Sequence, residues 1–444
     1  MLHTRPLHRR ALRQALLLAL TAVIAGGALA GVASSRRQAE AILAGRVILP
    51  ATTFAPGPTS GQFIESANGI APPFTARQPV QGFSAVLPGP RRGTWLVMSD
   101  NGFGAKANSA DALLRVHGVQ LDFARGAVVP IDVASGETLP EFNERSHIQL
   151  RDPDRRIPFP IVADAAAYPG SQMAVAAEIR LGRLLTGADF DIESMRRTPD
   201  GTLWFGDEFG PFLLHTDASG RVLEAPIPLP NTLAIGANPW VQALENPLRP
   251  ANVPANLGGS KGFEGMALDW TGCTLYTLLE GALTEDPLRT RLLINEFDLG
   301  RHQYTARTLA YRLESPSNAI GDFTAIAPRR FIVIERDGGQ GASARFKKLY
   351  RVDMRRVDAN GFVQKEEIVD LLNLHDPLLI GGADTHNGRF AFPFVTIEDV
   401  VPLDARTLLV INDNNFPFSN GRTAGVADNN EFILVRMPRP LTAD

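Results

Sequence analysis

Cysteine is nearly absent from this chain of 444 residues, with Cys273 as the single example. One cysteine excludes an intramolecular disulfide and a zinc site built from several thiolates. A lone thiol in an oxidising compartment is usually buried and inert. We therefore expect Cys273 to be packed as a small hydrophobic side chain.

A large excess of charge of one sign is also lacking, since 44 Lys and Arg residues face 47 Asp and Glu residues and the formal net charge is −3. Without a basic field for a phosphate backbone, the composition disfavours a nucleic-acid-binding protein. After the N-terminal segment, the sequence has no apolar run long enough to span a bilayer. It also has no G-x-S-x-G elbow, which disfavours a Ser-His-Asp hydrolase of the α/β type.

The N-terminal residues have the three parts of an export signal. Arginines form a basic start, residues 15–25 are apolar, and Ala28-Leu29-Ala30 matches an A-x-A cleavage site. We predict that residues 1–35 are a signal peptide that is removed, which leaves residues 36–444 as the mature protein. The protein is then periplasmic or extracellular, and an uncleaved N-terminal anchor is the alternative.

Glycine and proline are plentiful, at 40 and 33 residues, which suits many short strands joined by turns. One pattern recurs: a short strand, a turn, a strongly apolar strand, and then acidic or polar residues near Gly or Asn. Strands that are apolar throughout are covered on both faces, as in stacked sheets. The pattern predicts an all-β, single-domain β-propeller of about six four-stranded blades. Five segments carry it: residues 82–102, 191–210, 262–281, 322–339 and 398–415.

The ends of the chain and one insertion complete this interpretation. The strand within residues 45–54 is expected to pair with residues 432–437 and to close the ring. Residues 221–260 are rich in Pro and Asn and predict a long insertion at the mouth of the fold. A β-sandwich, or two separate β domains, is the alternative.

Hairpin register predicts that the recurrent acids gather at one mouth of the fold, because the start of a first strand faces the end of the second. Several carboxylates in a partly buried funnel cannot all stay ionised without a counter-charge. We expect Ca²⁺ to supply it, since Ca²⁺ accepts irregular oxygen geometry. A metal with only a structural role, or acids that merely cap strands and bind water, are the alternatives. The preferred metal ligands are Glu193, Glu264, Asp322, Glu398, Asp413 and Asn414.

Six longer motifs resemble one protein family. They are residues 54–62 (FAPGPTSGQ), 191–195 (DIESM), 206–214 (GDEFGPFLL), 262–267 (GFEGMA), 392–400 (FPFVTIEDV) and 413–422 (DNNFPFSNGR). Together they resemble the phytase-like family described by "esterase-like activity of phytase", over roughly residues 48–437. The resemblance implies an exported, propeller-like protein whose recurrent Glu and Asp residues carry hydrolytic activity.

Further residues are candidates for catalysis and substrate binding. The candidate catalytic residues are Glu208, Glu335, Asp399 and His386, the last as a general base near neutral pH or otherwise an ordinary loop histidine. The candidate substrate-binding residues are Arg336, Arg422 and Lys261, with pairing to a nearby carboxylate as the alternative role of both arginines. We interpret His215 as structural.

The leading functional hypothesis is a Ca²⁺-dependent hydrolase of a small-molecule ester or phosphoester, in which carboxylates hold the metal and activate water. A sugar-lactonase-like propeller is one alternative, and a non-enzymatic ligand-binding propeller with a structural metal is another. The shortage of obvious cations argues against phytic acid, which carries many phosphates. An organic cofactor is not expected, and the sequence leaves the oligomeric state open.

Overall fold

A computed structural model describes residues 40–443, and Ala41–Asp444 form one compact unit. The predicted signal peptide, residues 1–35, lies outside the described residues. The described chain is almost entirely β-structure. Its strands are β1 (Ile42–Leu49), β2 (Phe54–Pro56), β3 (Arg77–Pro79), β4 (Phe83–Pro88), β5 (Thr94–Ser99), β6 (Arg115–Asp122), β7 (Ala127–Pro130), β8 (His147–Gln149), β9 (Ile192–Arg197), β10 (Leu203–Asp207), β11 (Phe212–Thr216), β12 (Ile227–Pro228), β13 (Gly265–Leu268), β14 (Thr274–Leu278), β15 (Arg291–Asp298), β16 (Gln303–Arg312), β17 (Ala319–Ala327), β18 (Arg330–Arg336), β19 (Lys347–Val357), β20 (Val363–Asp370), β21 (Leu374–His375), β22 (Thr385–His386), β23 (Arg389–Phe390), β24 (Asp399–Pro402), β25 (Thr407–Ile411) and β26 (Asn430–Arg436).

Helical structure is confined to short pieces. The α-helix α1 (Ala177–Gly182) precedes β9. Short 3₁₀ turns lie at Glu144–Ser146, Val162–Asp164, Gly341–Ser343 and Gly382–Asp384. In the part of the chain that the structure describes, a helix with the length and apolar character needed to cross a bilayer is not found.

Most strands form five four-stranded groups, called here the first to the fifth sheet. The second, third and fourth are separate sheets, and the first and fifth are parts of one 12-stranded sheet. The first is β4–β7, the second β9–β12, the third β13–β16, the fourth β17–β20, and the fifth β24, β25, β26 and β1. Strand β1 runs antiparallel to β26, from Ile42 opposite Arg436 to Leu49 opposite Asn430. This confirms the predicted pairing of the N-terminal and C-terminal strands. Strand β1 also joins the first sheet, because Ile48 pairs with Ala127 of β7.

The five sheets pack face to face in cyclic order. Their first strands contact one another in the sequence β4, β9, β13, β17, β24, and β24 contacts β4. Each neighbouring pair of sheets shares one buried apolar core, and this includes the first and fifth sheets. Sheets arranged radially in this way are the blades of a β-propeller.

Alternate residues of a single strand enter different cores. Leu96 and Met98 of β5 pack against the second sheet, whereas Val97 packs against the fifth. Because both faces of the strand are covered, its sequence is apolar at consecutive positions. The prediction of strands buried on both faces is confirmed.

The five recurring segments are the five innermost hairpins, β4–β5, β9–β10, β13–β14, β17–β18 and β24–β25. The expectation of about six blades and of ring closure is not confirmed: the described residues form five four-stranded groups, and no hydrogen-bonded sheet among them closes on itself. The spacing between segments suggested an extra blade. Long connections such as residues 221–260, which contain only the short strand β12 (Ile227–Pro228) within the described chain, account for that spacing.

The prediction that Cys273 is packed in the interior is wrong, because the residue is exposed. It lies in the turn between β13 and β14, beyond the last cross-strand pair of Leu268 and Leu275. Its backbone N–H donates to Asp269 Oδ1 at 2.9 Å. A turn that projects past the paired strands has no neighbouring sheet to cover it.

β-Bulges change the register at three of the inner hairpins, β4–β5, β9–β10 and β17–β18. In β9–β10, Gly206 pairs with Ser194 but Asp207 pairs with Ile192, which leaves Glu193 in the bulge. A hairpin counted without bulges from a turn near Arg329 would place Asp322 opposite Glu335, but in β17–β18 Glu335 pairs with Ile320 and Asp322 pairs with Ile334. An extra residue on one strand turns the following side chains toward the other face.

Candidate functional site

Six buried carboxylates meet at the open ends of the inner hairpins and are called here the acidic cluster. They come from the second, third and fifth sheets or from residues adjoining those strands, and none is more than 8% exposed. The sequence prediction that acids gather at one end of the hairpins is therefore correct in its main point. The members are Asp191, Glu193, Glu208, Glu264, Glu280 and Glu398.

Two groups of three carboxylates within the acidic cluster have the spacing of a cation site. The ligand atoms of Asp191, Glu193 and Glu208 lie within 4.8 Å of one another, and so do those of Glu193, Glu264 and Glu398. Glu193 belongs to both groups. Its place in the β9–β10 bulge brings its side chain between the second, third and fifth sheets.

The first group has oxygens that nothing in the described chain satisfies. Asp191 Oδ1, Glu193 Oε2 and Glu208 Oε1 are buried and lack hydrogen-bond partners among the described residues. The other oxygen of Asp191 accepts a hydrogen bond from the Ser260 hydroxyl at 3.2 Å. A buried polar atom without a partner carries a desolvation penalty of about 1–3 kcal/mol, more if it is charged. Three such oxygens facing one region match the needs of a hard cation.

The second group already has a counter-charge. Arg336 Nη2 lies 3.0 Å from Glu280, 3.4 Å from Glu398 and 3.5 Å from Glu264. Burial alone would lower the pKa of Arg336, but the surrounding carboxylates raise it, so this guanidinium stays charged. Arg336 therefore lies at the mouth as predicted and forms salt bridges there.

Lys261 is the second basic residue that contacts the acidic cluster. Its ammonium pairs with Glu280, and its side chain remains 42% exposed. Lys261 therefore connects the buried cluster to solvent, whereas Arg336 is almost wholly enclosed at 9% side-chain exposure. The role of both residues in substrate binding stays a prediction.

Several carboxylates of the acidic cluster have raised pKa values because they are buried close to one another. Burial, and then the charges of neighbouring acids, raise the pKa values of Glu193, Glu208 and Glu264 well above their usual range. Burial and the charge of Asp413 raise the pKa of Glu398 to about 8. Concentrated buried negative charge of this kind is relieved either by protons or by a metal ion.

Asp413 and Asn414 have different positions from those expected of a ligand pair. Asp413 lies at the edge of the cluster, where its charge acts on Glu398 and where burial raises its own pKa to about 6. The Asn414 side chain is fully used, since its oxygen accepts from Gly82 N–H at 3.0 Å and its amide donates to Gln81 and to the Asp428 carbonyl. These hydrogen bonds hold Asn414 in place, and its role as a metal ligand stays a prediction.

Asp322 and Asp399 form a separate buried group farther along the inner strands. Asp322 accepts from Arg196 at 3.0 Å and from Val400 N–H at 3.1 Å. Burial and the adjacent Asp322 raise the pKa of Asp399 well above its usual range. Arg196 neutralises this pair, so Asp322 is not a member of the acidic cluster and Asp399 does not face it.

Three other predicted site residues lie elsewhere. Glu335 points away from Arg336, because successive side chains of a strand alternate between faces. Arg422 is held by Glu431 through two contacts of 2.8 Å and lies over the rings of Phe390 and Phe394. His386 is exposed on the short β22–β23 hairpin. These three residues lie apart from the acidic cluster, and their catalytic or substrate-binding roles stay predictions.

Glu335 is fully satisfied by its surroundings. It accepts from Tyr311 at 2.7 Å, Glu314 N–H at 2.7 Å, Asn318 at 2.8 Å and Lys365 at 2.8 Å. We expect Glu335→Gln to lower the free energy of unfolding by about 1–3 kcal/mol, because an amide cannot accept all four donors. Urea unfolding measures this loss. Any affinity of the acidic cluster for Ca²⁺ is expected to stay unchanged, and a Ca²⁺ affinity that fell tenfold would contradict this assignment.

Asp191 and Glu280 are the cluster members to which the sequence interpretation assigned neither a metal-binding nor a catalytic role. Asp191 stands two residues before Glu193, and residues separated by two positions point to the same side of a strand. That spacing was a usable signal. For Glu280 the sequence signal was weaker. Its partners Lys261 and Arg336 are distant from it in sequence, so these salt bridges could not be read from neighbouring residues.

Fold and site together define an all-β, propeller-like protein with a buried acidic cluster at one end of its inner hairpins. The chain belongs to the phytase-like family described as "Esterase-like activity of phytase", whose model matches residues 78–416. This confirms the resemblance carried by the sequence motifs.

A relative and two solved structures are similar to the chain. A protein of Arthroderma benhamiae described as an uncharacterized secreted protein is 26% identical over 271 residues, which are 53% of this chain and 52% of that protein. The chain thus matches about half the length of this relative. A calcium-binding regucalcin from Agrobacterium tumefaciens aligns with TM-score 0.34 and 13% identity, covering 89% of this chain and 100% of the other. A PQQ-bound aldose sugar dehydrogenase from Streptomyces coelicolor aligns with TM-score 0.33 and 11% identity, covering 90% and 98%. At these TM-scores no property of either protein transfers to this chain.

Proposed function

We propose that the protein is an exported hydrolase of a small-molecule ester or phosphoester, and that the acidic cluster binds a divalent cation, Ca²⁺ in the first instance. In this proposal the five sheets are the blades of one closed propeller. Export is supported by the N-terminal residue pattern and by the secreted relative. The hydrolytic class is supported by the family description.

One observation supports the proposed cation site. Asp191, Glu193 and Glu208 converge within 4.8 Å and each keeps an unpartnered, buried oxygen. Hard cations such as Ca²⁺ take several oxygen ligands and tolerate irregular geometry. The group contains neither imidazole nor thiolate, which a softer metal would favour. These three residues would hold the ion. Glu264 and Glu398 would lie beside it, with their charge balanced by Arg336.

A cation at this position would polarise an ester or phosphoryl oxygen and favour ionisation of water. The chain contributes the remaining functions. In its ionised form Glu208, which adjoins both Glu193 and the Lys261–Glu280 pair, would accept a proton from water. Lys261, partly exposed at the rim, would contact a substrate oxygen. The charge of Arg336 favours the ionised forms of Glu264 and Glu398, and its salt bridges would hold them in place.

Hydrolysis of p-nitrophenyl acetate and p-nitrophenyl phosphate tests the proposal. We expect at least one substrate to be turned over, with activity lost in EDTA and restored by Ca²⁺. Asp404→Asn, in a turn at the opposite end of an inner hairpin, is a matched control that removes an acid without touching the cluster. Turnover that persists in EDTA, or no turnover with any divalent cation, contradicts metal-dependent hydrolysis of simple esters.

A non-enzymatic protein with a structural cation is the second candidate, and the depth of the cluster favours it. Its carboxylates are at most 8% exposed, and Ser260 of the 221–260 insertion lies on Asp191. A closed shell of protein ligands stabilises a fold but leaves no position for substrate. Ca²⁺ that raises the unfolding temperature without supporting turnover of any ester would identify this role.

A further inference from the structure

A second, chemically different site lies at the turn ends of the same inner hairpins. A cavity of about 560 Å³ is lined by the β9–β10 and β13–β14 turns and by Trp204, His215 and His302. The four residues from Trp204 to Glu208 span roughly 13 Å of extended strand, which separates this cavity from the acidic cluster. The proposed hydrolase function does not use it.

Two histidines and one carboxylate converge beside this cavity. His215 Nδ1 lies 2.7 Å from Glu224 Oε1, and His302 Nδ1 lies 2.8 Å from the same oxygen. The three ligand atoms all lie within 4.8 Å of one another. In a tetrahedral zinc site with ligand bonds of about 2.0–2.1 Å, neighbouring ligand atoms are separated by roughly 3.3 Å. Shifts of a few tenths of an ångström would therefore make room for an ion.

The surroundings hold the two imidazoles in position. Trp204 stacks on His215 with ring centroids 4.0 Å apart and meets His302 edge-on at 5.3 Å. His302 adopts a left-handed backbone conformation with φ of 52° in the turn between β15 and β16. Non-glycine residues rarely take this conformation, and here it presents the ring to Glu224.

The His215 side chain is suited to bind a metal ion. It is buried, and its Nε2 lacks a hydrogen-bond partner among the described residues. Burial lowers the pKa of His215, which favours the neutral imidazole that binds metals. If Nδ1 ligates a metal, the ring proton moves to Nε2, so binding needs only a change of tautomer and no loss of charge. Asp200 and Asp298, which also line the cavity, make the region attractive to a cation.

We propose that His215, Glu224 and His302 form a binding site for a transition-metal ion of the Zn²⁺ class. Two imidazoles and one carboxylate are the ligand set that Zn²⁺ and its first-row neighbours prefer over Ca²⁺. His215 and His302 line the cavity, which leaves space for a further water or small ligand on the ion. The site is distinct from the acidic cluster in position and in ligand type.

Zn²⁺ binding to the full mature chain tests this site. Calorimetric titration is carried out after EDTA treatment, with excess Ca²⁺ present so that the acidic cluster does not compete for Zn²⁺. We expect one Zn²⁺ ion per chain, and an affinity more than about tenfold weaker in His302→Asn and in Glu224→Gln. Asparagine tolerates a left-handed backbone, so His302→Asn preserves the turn.

Two controls make the result specific. His386→Asn removes an exposed histidine elsewhere and is expected to bind Zn²⁺ as the wild type does. Cu²⁺ is expected to quench the fluorescence of Trp204, which stacks on His215, and to lose that effect in His302→Asn. Unchanged Zn²⁺ affinity in both His302→Asn and Glu224→Gln, or absence of Zn²⁺ binding to the wild type, overturns the proposal and leaves a carboxylate that accepts two hydrogen bonds.

Discussion

Arg336→Met is expected to destabilise the metal-free protein by about 3–5 kcal/mol near pH 8, because it leaves buried carboxylates without their counter-charge. Arg336 contacts Glu264, Glu280 and Glu398 and is enclosed with them. Methionine fills a similar volume, so the main change is the loss of positive charge. Urea unfolding in EDTA measures the effect.

The stability lost in Arg336→Met should be larger at high pH than at low pH. Burial and the charge of Asp413 raise the pKa of Glu398 to about 8, above its unfolded value. The stability contributed by this proton is complete below the unfolded pKa of about 4.3 and disappears as the pH rises through 8. Arg336→Met is therefore expected to be less harmful at about pH 5, where the acids can take up protons.

A control variant separates charge removal in general from charge removal at this position. Arg125 is 84% exposed in its side chain. We expect Arg125→Met to change stability by less than about 0.5 kcal/mol at either pH. If Arg336→Met were equally mild at pH 8, the inner carboxylates would have to be neutral already, and Arg336 would not be their counter-charge.

Glu193→Gln is expected to have opposite effects with and without Ca²⁺. Glu193 is shared by both carboxylate groups, and burial with four neighbouring acids raises its pKa well above the usual range. Removing its charge should stabilise the metal-free protein by roughly 1 kcal/mol near pH 8, since one repulsive, desolvated carboxylate is lost. The same change should weaken Ca²⁺ binding by about a hundredfold, because ligand charge sets Ca²⁺ affinity.

Thermal unfolding with and without Ca²⁺ measures both effects. At a Ca²⁺ concentration a hundred times the dissociation constant, the wild type should gain about 2.7 kcal/mol, and Glu193→Gln should gain little. Asp191→Asn is expected to behave similarly, because Asp191 belongs to the group with unpartnered oxygens. Glu335→Gln is the matched control and should retain the Ca²⁺ response. An undiminished Ca²⁺ response in both Glu193→Gln and Asp191→Asn would rule out this group as the cation site.

The hairpins were predictable because their signals are local. Gly201 and Gly272 adopt positive φ at the turns of two inner hairpins, and apolar runs follow both. The position of Glu264 at the open end of its hairpin agrees with the register counted from the turn near Gly272, because β13–β14 pairs without a bulge. Registers of this kind depend on the turn and on the burial of both strand faces, and the residues themselves encode both.

Predictions failed where bulges and distant packing intervene. Two extra residues in β17, one at each of its bulges, move Asp322 away from Glu335, which contacts Tyr311 and Lys365 instead. Arg422 looked free in the sequence, but its partner Glu431 lies on β26, and the rings under its guanidinium come from residues 390–394. Bulges have weak sequence signatures, and a side chain's partner depends on which sheets become neighbours.

The sequence by itself determined the all-β class, the five inner hairpins, the pairing of the chain ends and the end of the hairpins at which acids recur. These properties follow from turn chemistry, strand periodicity and the composition of short segments. Only the tertiary structure decided which of those acids share one cluster, that Arg336 balances half of them, and that Asp191, Glu193 and Glu208 keep oxygens without partners. The reason is that charge, desolvation and ligand geometry act through space between sheets, and the packing of the sheets against one another sets those distances.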